Sequence, residues 1–162
     1  YIDAILLAAV LPHRFRFVIK REVTQVPLVN FFLQRLGAHF VERFDPKRSA
    51  ADTRKIMQTA TNGDSLAIFP EGTFLNEPGL RRFHKGAFKI AARNKLPLVP
   101  LTITGTRRML PAGTWLPRPA RLNVAISQPI HTNPDMPITT SMEYCRNCIL
   151  DTLDEPDLTP IS

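Results

Sequence analysis

The residues of this chain best suited to chemistry stand together as Glu71, Gly72 and Thr73, directly after the apolar segment Leu66-Ala67-Ile68-Phe69 and Pro70. A carboxylate can serve as acid, base or hydrogen-bond acceptor, and a glycine lets backbone approach a ligand that a side chain would block. A short apolar run that stops at a proline predicts a buried strand delivering these groups to the rim of a sheet. A solvated Pro-Glu-Gly turn at an ordinary strand end is the competing reading. For Glu71 three roles stay open: proton transfer, acceptor for a substrate hydroxyl, and structural acceptor for backbone N–H groups. Downstream, Arg81, Arg82, His84, Lys85 and Lys89 crowd the loop and helix start beyond Gly79. Cations before a helix N-terminus make an anion site, although a solvated basic face has the same composition. Arg43, at a strand exit, fits a bidentate phosphate clamp or a surface pair with Glu42 or Asp45. His13, His39, His84 and His131 have no partner at metal-ligand or triad spacing and read as structural.

The elements that must position these groups follow from periodicity. Ile5, Leu6, Ala9 and Val10 predict a helix over residues 3–11, with Asp3 in its first turn and Pro12 stopping it. Alternating basic and apolar residues predict a strand over 14–19, with Lys20 at its exit. Pro27 opens a helix over 27–36 that Gly37 ends, followed by a short strand over 38–41. Asp45-Pro46 caps a helix reaching about Thr61, which Asn62-Gly63 closes. Strand 65–69 leads into a loop over 70–82 that is long enough to be functional. A helix over 85–94 and strands over 96–104 and 121–127 come next. Thr140 with Glu143 forms a capping box for a helix through Leu153, and the acidic tail 154–162 reads as a fraying end or linker. The alternation predicts an α/β fold, one domain over 1–153, with a mainly parallel or mixed central sheet flanked by helices. Strand exits at Lys20, Arg43, Glu71 and Thr104 are then expected along one edge of the sheet, where open α/β sheets bind ligands.

Composition narrows the partners. The chain has 162 residues, 44% of them hydrophobic, enough for a real core. Its 21 Lys and Arg against 14 Asp and Glu give a net charge of +7, which favours an anionic partner such as a phosphate ester or an anionic membrane surface. Nucleic acid is disfavoured, because one Trp and two Tyr leave little to stack on bases and no reader motif is present. Cys145 and Cys148 alone cannot build a disulfide scaffold; without a second pair they read as buried thiols and not as a metal site. No run of about 18 apolar residues exists to span a bilayer.

Phe69-Pro70-Glu71-Gly72-Thr73, followed by Phe83-His84-Lys85-Gly86, resembles the third block of the glycerolipid acyltransferase family typified by 1-acylglycerol-3-phosphate acyltransferase. Lys20, Glu22, Pro27, Gly37, Phe40 and Arg43 are similar in order and spacing to its second block, and Leu98-Val99-Pro100-Leu101 to its fourth. The resemblance runs from Tyr1 to about Ile130. It implies acyl transfer from an acyl thioester, acyl-CoA or acyl carrier protein, to the hydroxyl of lysophosphatidate or a related lysophospholipid. It further implies that Arg43, helped by Lys20 or Lys85, holds the acceptor phosphate, that Glu71, Gly72 and Thr73 position its polar groups, and that Pro100 lines the acyl side. No metal or prosthetic group is implied, and the expected setting is the cytoplasmic face of a membrane. Asn30, where glycine is frequent, and Phe74, where Ser or Arg often follows, depart from the family pattern.

The family's first block is His-x-x-x-x-Asp. Tyr1-Ile2-Asp3 fits its tail, which makes Asp3 the dyad carboxylate and places the histidine three residues before Tyr1. The opening residues start inside a periodic apolar pattern with no initiator Met, so the chain is expected to continue upstream and to be inactive without its base. A relative that kept the fold, lost the base and binds phosphate or anionic lipid without catalysis is the alternative.

Overall fold

A computed structural model describes residues 2–11, 15–20, 31, 35, 39–41, 58–59, 62–72, 77–111, 113–114 and 116–159. These fall into two compact units, Tyr1–Phe69 and Pro70–Ser162.

In the first unit, α1 (Ile2–Val10) carries Asp3 in its first turn and buries Ala4 and Leu7, which one helical turn places on the same face. β1 (Phe15–Lys20), β2 (His39–Val41) and β3 (Ser65–Ile68) form a parallel sheet in the order β2-β1-β3. Phe17 stands opposite Ala67 in the β1–β3 register, and both are buried. Between them the strands bury apolar side chains where the sequence alternates, while Arg16 remains half-exposed and its Nε donates to Asp64 Oδ2 at 2.9 Å. Because all three strands run the same way, the C-terminal ends at Lys20, Val41 and Ile68 share one edge. The expected helix over 27–36 lies mostly outside the described residues, but Phe31 and Arg35 are helical, with the guanidinium 5.2 Å from the ring centroid. The expected helix from Asp45 likewise lies outside them except for Gln58 and Thr59. Its end does not: Asn62 N–H donates to Gln58 O at 3.0 Å.

The second unit is built on α2 (Gly86–Arg93), β4 (Pro97–Leu98), β5 (Leu101–Thr104), α3 (Thr106–Met109), β6 (Asn123–Ile126), β7 (Ile130–His131) and α4 (Ile138–Leu150). α2 is amphipathic, burying Phe88, Ala91 and Ala92 and exposing Lys89 and Arg93. It packs against α4. Leu80, Phe83, Phe88 and Cys145 form the buried cluster, and Met142, Ile149 and Leu153 close over it. The Phe83 and Phe88 rings stack at 6.1 Å. Burial pushes the Cys145 thiol up to about 11. A raised folded-state value means that the contribution to stability is complete below pH 9 and is lost as the pH climbs through 11. The buried-thiol reading therefore holds for Cys145.

Three sequence expectations change in this unit. The single strand over 96–104 is two strands with different partners: β4 pairs antiparallel with β7, and β5 antiparallel with β6. Pro100 explains the break, since it has no N–H to donate to a ladder; its carbonyl accepts Ser127 N–H at 3.0 Å. The capping box does not form. α4 starts two residues before Thr140, at Ile138, with Pro137 as an extended N-cap residue and no side-chain cap. The preceding turn is set instead by Asn133 Oδ1, which accepts the N–H groups of Asp135 and Met136 at 3.0 and 2.8 Å. Finally, the acidic segment after α4 is docked and not frayed through Thr159: Leu80 N–H donates to Pro156 O at 2.8 Å and Leu158 N–H to Leu80 O at 3.0 Å, a parallel bridge centred on Leu80 and Asp157. The fold class is the expected mixed α/β one, with one parallel sheet and two antiparallel pairs among the described residues. Among the described residues no helix is long and apolar enough to cross a membrane.

Candidate functional site

Pro70, Glu71 and Gly72 leave β3 as an irregular turn, and Gly72 has φ +72°, a left-handed conformation that favours glycine over any residue with a Cβ. Two hydrogen bonds tie this turn to the return arm of the same loop. Pro70 O accepts His84 N–H at 2.8 Å, and Glu71 Oε2 accepts Arg81 N–H at 2.9 Å. Glu71 and Lys85 are thereby each one residue from the Pro70–His84 bond. Phe83, between these two ties, is buried in the core and anchors the arm, whereas His84 and Lys85 on its far side are exposed. The Phe-x-Lys-Gly spacing thus has a physical reading: the aromatic pins the loop, and the lysine stands at the first turn of α2, where Lys85 is the N-cap residue and no acidic side chain competes for the helix N-terminus.

Glu71 is half-buried, and desolvation raises its carboxyl above the ordinary carboxylate value. The Arg81 N–H and the positive charges of Arg146 and Arg81 oppose that shift, and Glu155 adds to it. Of the three roles open from the sequence, the structural-acceptor role is occupied by Oε2. Oε1 takes no hydrogen bond from a described residue.

The basic cluster divides. Arg81 Nη2 donates to Glu77 Oε2 at 2.6 Å, and its Nε is buried with no hydrogen-bond partner among the described residues. Arg82, His84, Lys85 and Lys89 are exposed. Arg81 is therefore a loop-building residue, while the other four keep the open basic face.

Asp3 lies in the first turn of α1 and is half-buried. Lys20 is the last residue of β1, and its side chain, like Arg43 and Thr73, falls outside the described residues. Pro100 is buried at the β4–β5 break. The structure thus gathers Glu71, Gly72 and Lys85 on one loop of the second unit, with Asp3 and Lys20 in the first.

Arg146, on α4, is a residue that sequence reading did not single out. Its Nη1 donates to Arg81 O at 2.6 Å and its Nη2 to Leu80 O at 3.0 Å; Nη2 also bonds Asp157 Oδ1, and the guanidinium lies 5.3 Å from the centroid of Phe83. The available signal was an arginine directly after Cys145 on a helix whose neighbouring turns carry Met142 and Ile149.

A parallel sheet whose strand β3 is followed by Phe-Pro-Glu-Gly, and then by a loop pinned by the phenylalanine of Phe-x-Lys-Gly, defines the class as an acyltransferase-type α/β domain. The family model described as Acyltransferase matches residues 1–104, and the chain belongs to that family. The chain is 30% identical over 118 residues to a chloroplast 1-acyl-sn-glycerol-3-phosphate acyltransferase of Arabidopsis thaliana, covering 72% of this chain and 33% of the relative. It is 27% identical over 165 residues to the 1-acyl-sn-glycerol-3-phosphate acyltransferase of Saccharomyces cerevisiae, covering 98% and 54%. The chain thus spans about a third to a half of the length of these relatives. The fold is similar to that of the crystallised 1-acyl-sn-glycerophosphate acyltransferase PlsC of Thermotoga maritima, with a TM-score of 0.68 at 23% identity over 86% of this chain and 55% of that one. The glycerolipid acyltransferase resemblance and the α/β fold class are both borne out.

Proposed function

We propose that the protein transfers an acyl group from a thioester, acyl-CoA or acyl carrier protein, to the free hydroxyl of lysophosphatidate or a closely related lysophospholipid. The observation that carries this reading is Glu71: half-buried, anchored through one carboxylate oxygen and presented beside Gly72 within the stretch that the family model matches. In the proposed reaction the acceptor oxygen attacks the thioester carbonyl while its proton passes to the histidine of a His/Asp dyad. The tetrahedral intermediate then collapses with loss of the thiolate, which takes up that proton as the thiol. Asp3 is assigned to orient the histidine, which would stand three residues before Tyr1. Glu71 Oε1 and the backbone at Gly72, with Thr73, orient the acceptor's polar groups, converting a bimolecular encounter into an oriented one. Arg43, Lys20 and Lys85 are assigned to the acceptor phosphate, and Pro100 to the acyl side. The chemistry asks for no metal or prosthetic group, and an anionic membrane surface that supplies the lipid acceptor suits the +7 charge.

The test is phosphatidate formation from a radiolabelled acyl thioester and lysophosphatidate by the full protein. Wild type is expected to form product, and Glu71→Ala and Arg43→Ala to lower its rate at sub-saturating acceptor. Near-normal turnover in both variants removes the site assignment. Binding of lysophosphatidate by wild type without any transfer removes the enzymatic reading in favour of a lipid-binding module.

A further inference from the structure

One peptide group connects Arg146 to Glu71. The carbonyl of the Leu80–Arg81 peptide accepts from Arg146 Nη2 at 3.0 Å, and the N–H of that same peptide donates to Glu71 Oε2 at 2.9 Å. Arg146 Nη1 holds the next carbonyl along, Arg81 O, at 2.6 Å. A guanidinium on a carbonyl withdraws electron density from it and strengthens donation by the N–H across the amide, since hydrogen bonds in series polarise one another. The fork is also fixed in place. Phe83 lies against the guanidinium face, Asp157 Oδ1 shares Nη2 with Leu80 O, and the Arg146 side chain is 15% exposed. Leu158 N–H adds a second donor to Leu80 O at 3.0 Å, so the peptide is gripped from α4 and from the segment after it.

We infer that Arg146 is a positioning residue for Glu71, acting through the Leu80–Arg81 peptide to hold the carboxylate in place for the acceptor. This rests on the acyl-transfer reading above for its consequence in turnover, but not for its effect on Glu71 itself. Arg146 lies beyond residues 1–104, so the family match does not assign it a role. Among the described residues, the charged groups acting on Glu71 are Arg81 from its own loop, Arg146 from α4 and Glu155 from the segment after α4, and of these Glu155 alone disfavours ionisation.

Two readouts separate positioning from mere packing. The first is the NMR titration of a 13C-labelled Glu71 carboxyl in the full protein, which needs no substrate. Arg146→Met is expected to move the midpoint upward by about half a pH unit or more, and Arg146→Lys, which keeps the charge but cannot fork to two carbonyls, to restore most of it. The second is acceptor KM. Arg146→Lys is expected to raise it about tenfold through misplacement of the carboxylate, with donor KM unchanged, and to cost nothing further in a Glu71→Gln background. An unmoved midpoint in Arg146→Met, or additive effects of Arg146→Lys and Glu71→Gln, overturns the inference. Should Arg146→Met fail to fold, the Arg146→Lys cycle decides alone. Wild type that forms no phosphatidate defeats the acyl-transfer reading instead, and the titration then still decides whether Arg146 governs Glu71.

Discussion

The Tyr1–Phe69 and Pro70–Ser162 units hold their polar groups in different ways, and an arginine in each shows how. Arg16, in the parallel sheet, donates to Asp64 with both side chains partly exposed. Arg146 spends its guanidinium on two backbone carbonyls, a carboxylate and an aromatic face, nearly out of water. A partly exposed pair gains little over its hydrated alternatives, whereas a largely buried guanidinium holding two carbonyls and a carboxylate costs heavily to dismantle. The sheet would keep its shape without Arg16, because parallel strand pairing and burial of Phe17 specify it. Among its described residues, the loop that carries Arg81 pairs in a strand-like way at Leu80 alone. Its shape depends on contacts from residues 65 to 76 positions further along the chain.

That contrast can be broken by substitution. Phe83→Ala should have the largest effect, about 3–5 kcal/mol from loss of transfer energy and the cavity left beneath the loop, read as a fall in the denaturation midpoint. A loss below about 1 kcal/mol would mean that Phe83 is not the loop's anchor. Gly79→Ala comes next. Gly79 has φ +129°, and a Cβ there would lie 2.7 Å from Pro156 O, against backbone that cannot turn aside. Its N–H also donates to Glu155 Oε2 at 2.7 Å. A cost of about 1–3 kcal/mol is expected, together with faster amide exchange at Leu80 and Leu158; unchanged exchange at both would show that the docked segment does not brace the loop. Arg16→Ala should be smallest, about 0–1 kcal/mol and diminished further by salt. A loss as large as that of Phe83→Ala would erase the distinction between the two units.

The same contrast explains what could be read from residues alone. α1, β1, β3 and α2 were legible as elements because their apolar spacing is local, but the buried pair of α1 is Ala4 with Leu7, whereas Ala9 and Val10 of the expected periodic set are exposed. Phe17 and Ala67 on one sheet face, and Phe88 with Ala91 and Ala92, follow the expected pattern. The site motif was legible as residue types, and Glu71 was correctly placed just past a strand. What it bonds was not, because Arg81 N–H is a backbone donor and carries no side-chain signature. The expected strand over 96–104 failed at Pro100, whose missing N–H outweighed the apolar run around it. The capping box failed because Asn133 and Pro137 fix the helix start two residues earlier. The docking of Glu155, Asp157 and Leu158 was hidden by composition: an acidic, proline-bearing end reads as solvated until Gly79, Arg107 and Arg146 are seen to face it.

Glu71, in the proposed reaction, positions the acceptor and does not itself take the proton. Steady-state kinetics of Glu71→Gln in the full protein, with lysophosphatidate varied at fixed thioester and then the reverse, test it most directly. A positioning role for Glu71 predicts a raised KM for the acceptor, an unchanged KM for the thioester and a kcat within about tenfold of wild type. A kcat lowered by about a thousandfold with both KM values unchanged would be the mark of a lost general base, and would contradict it.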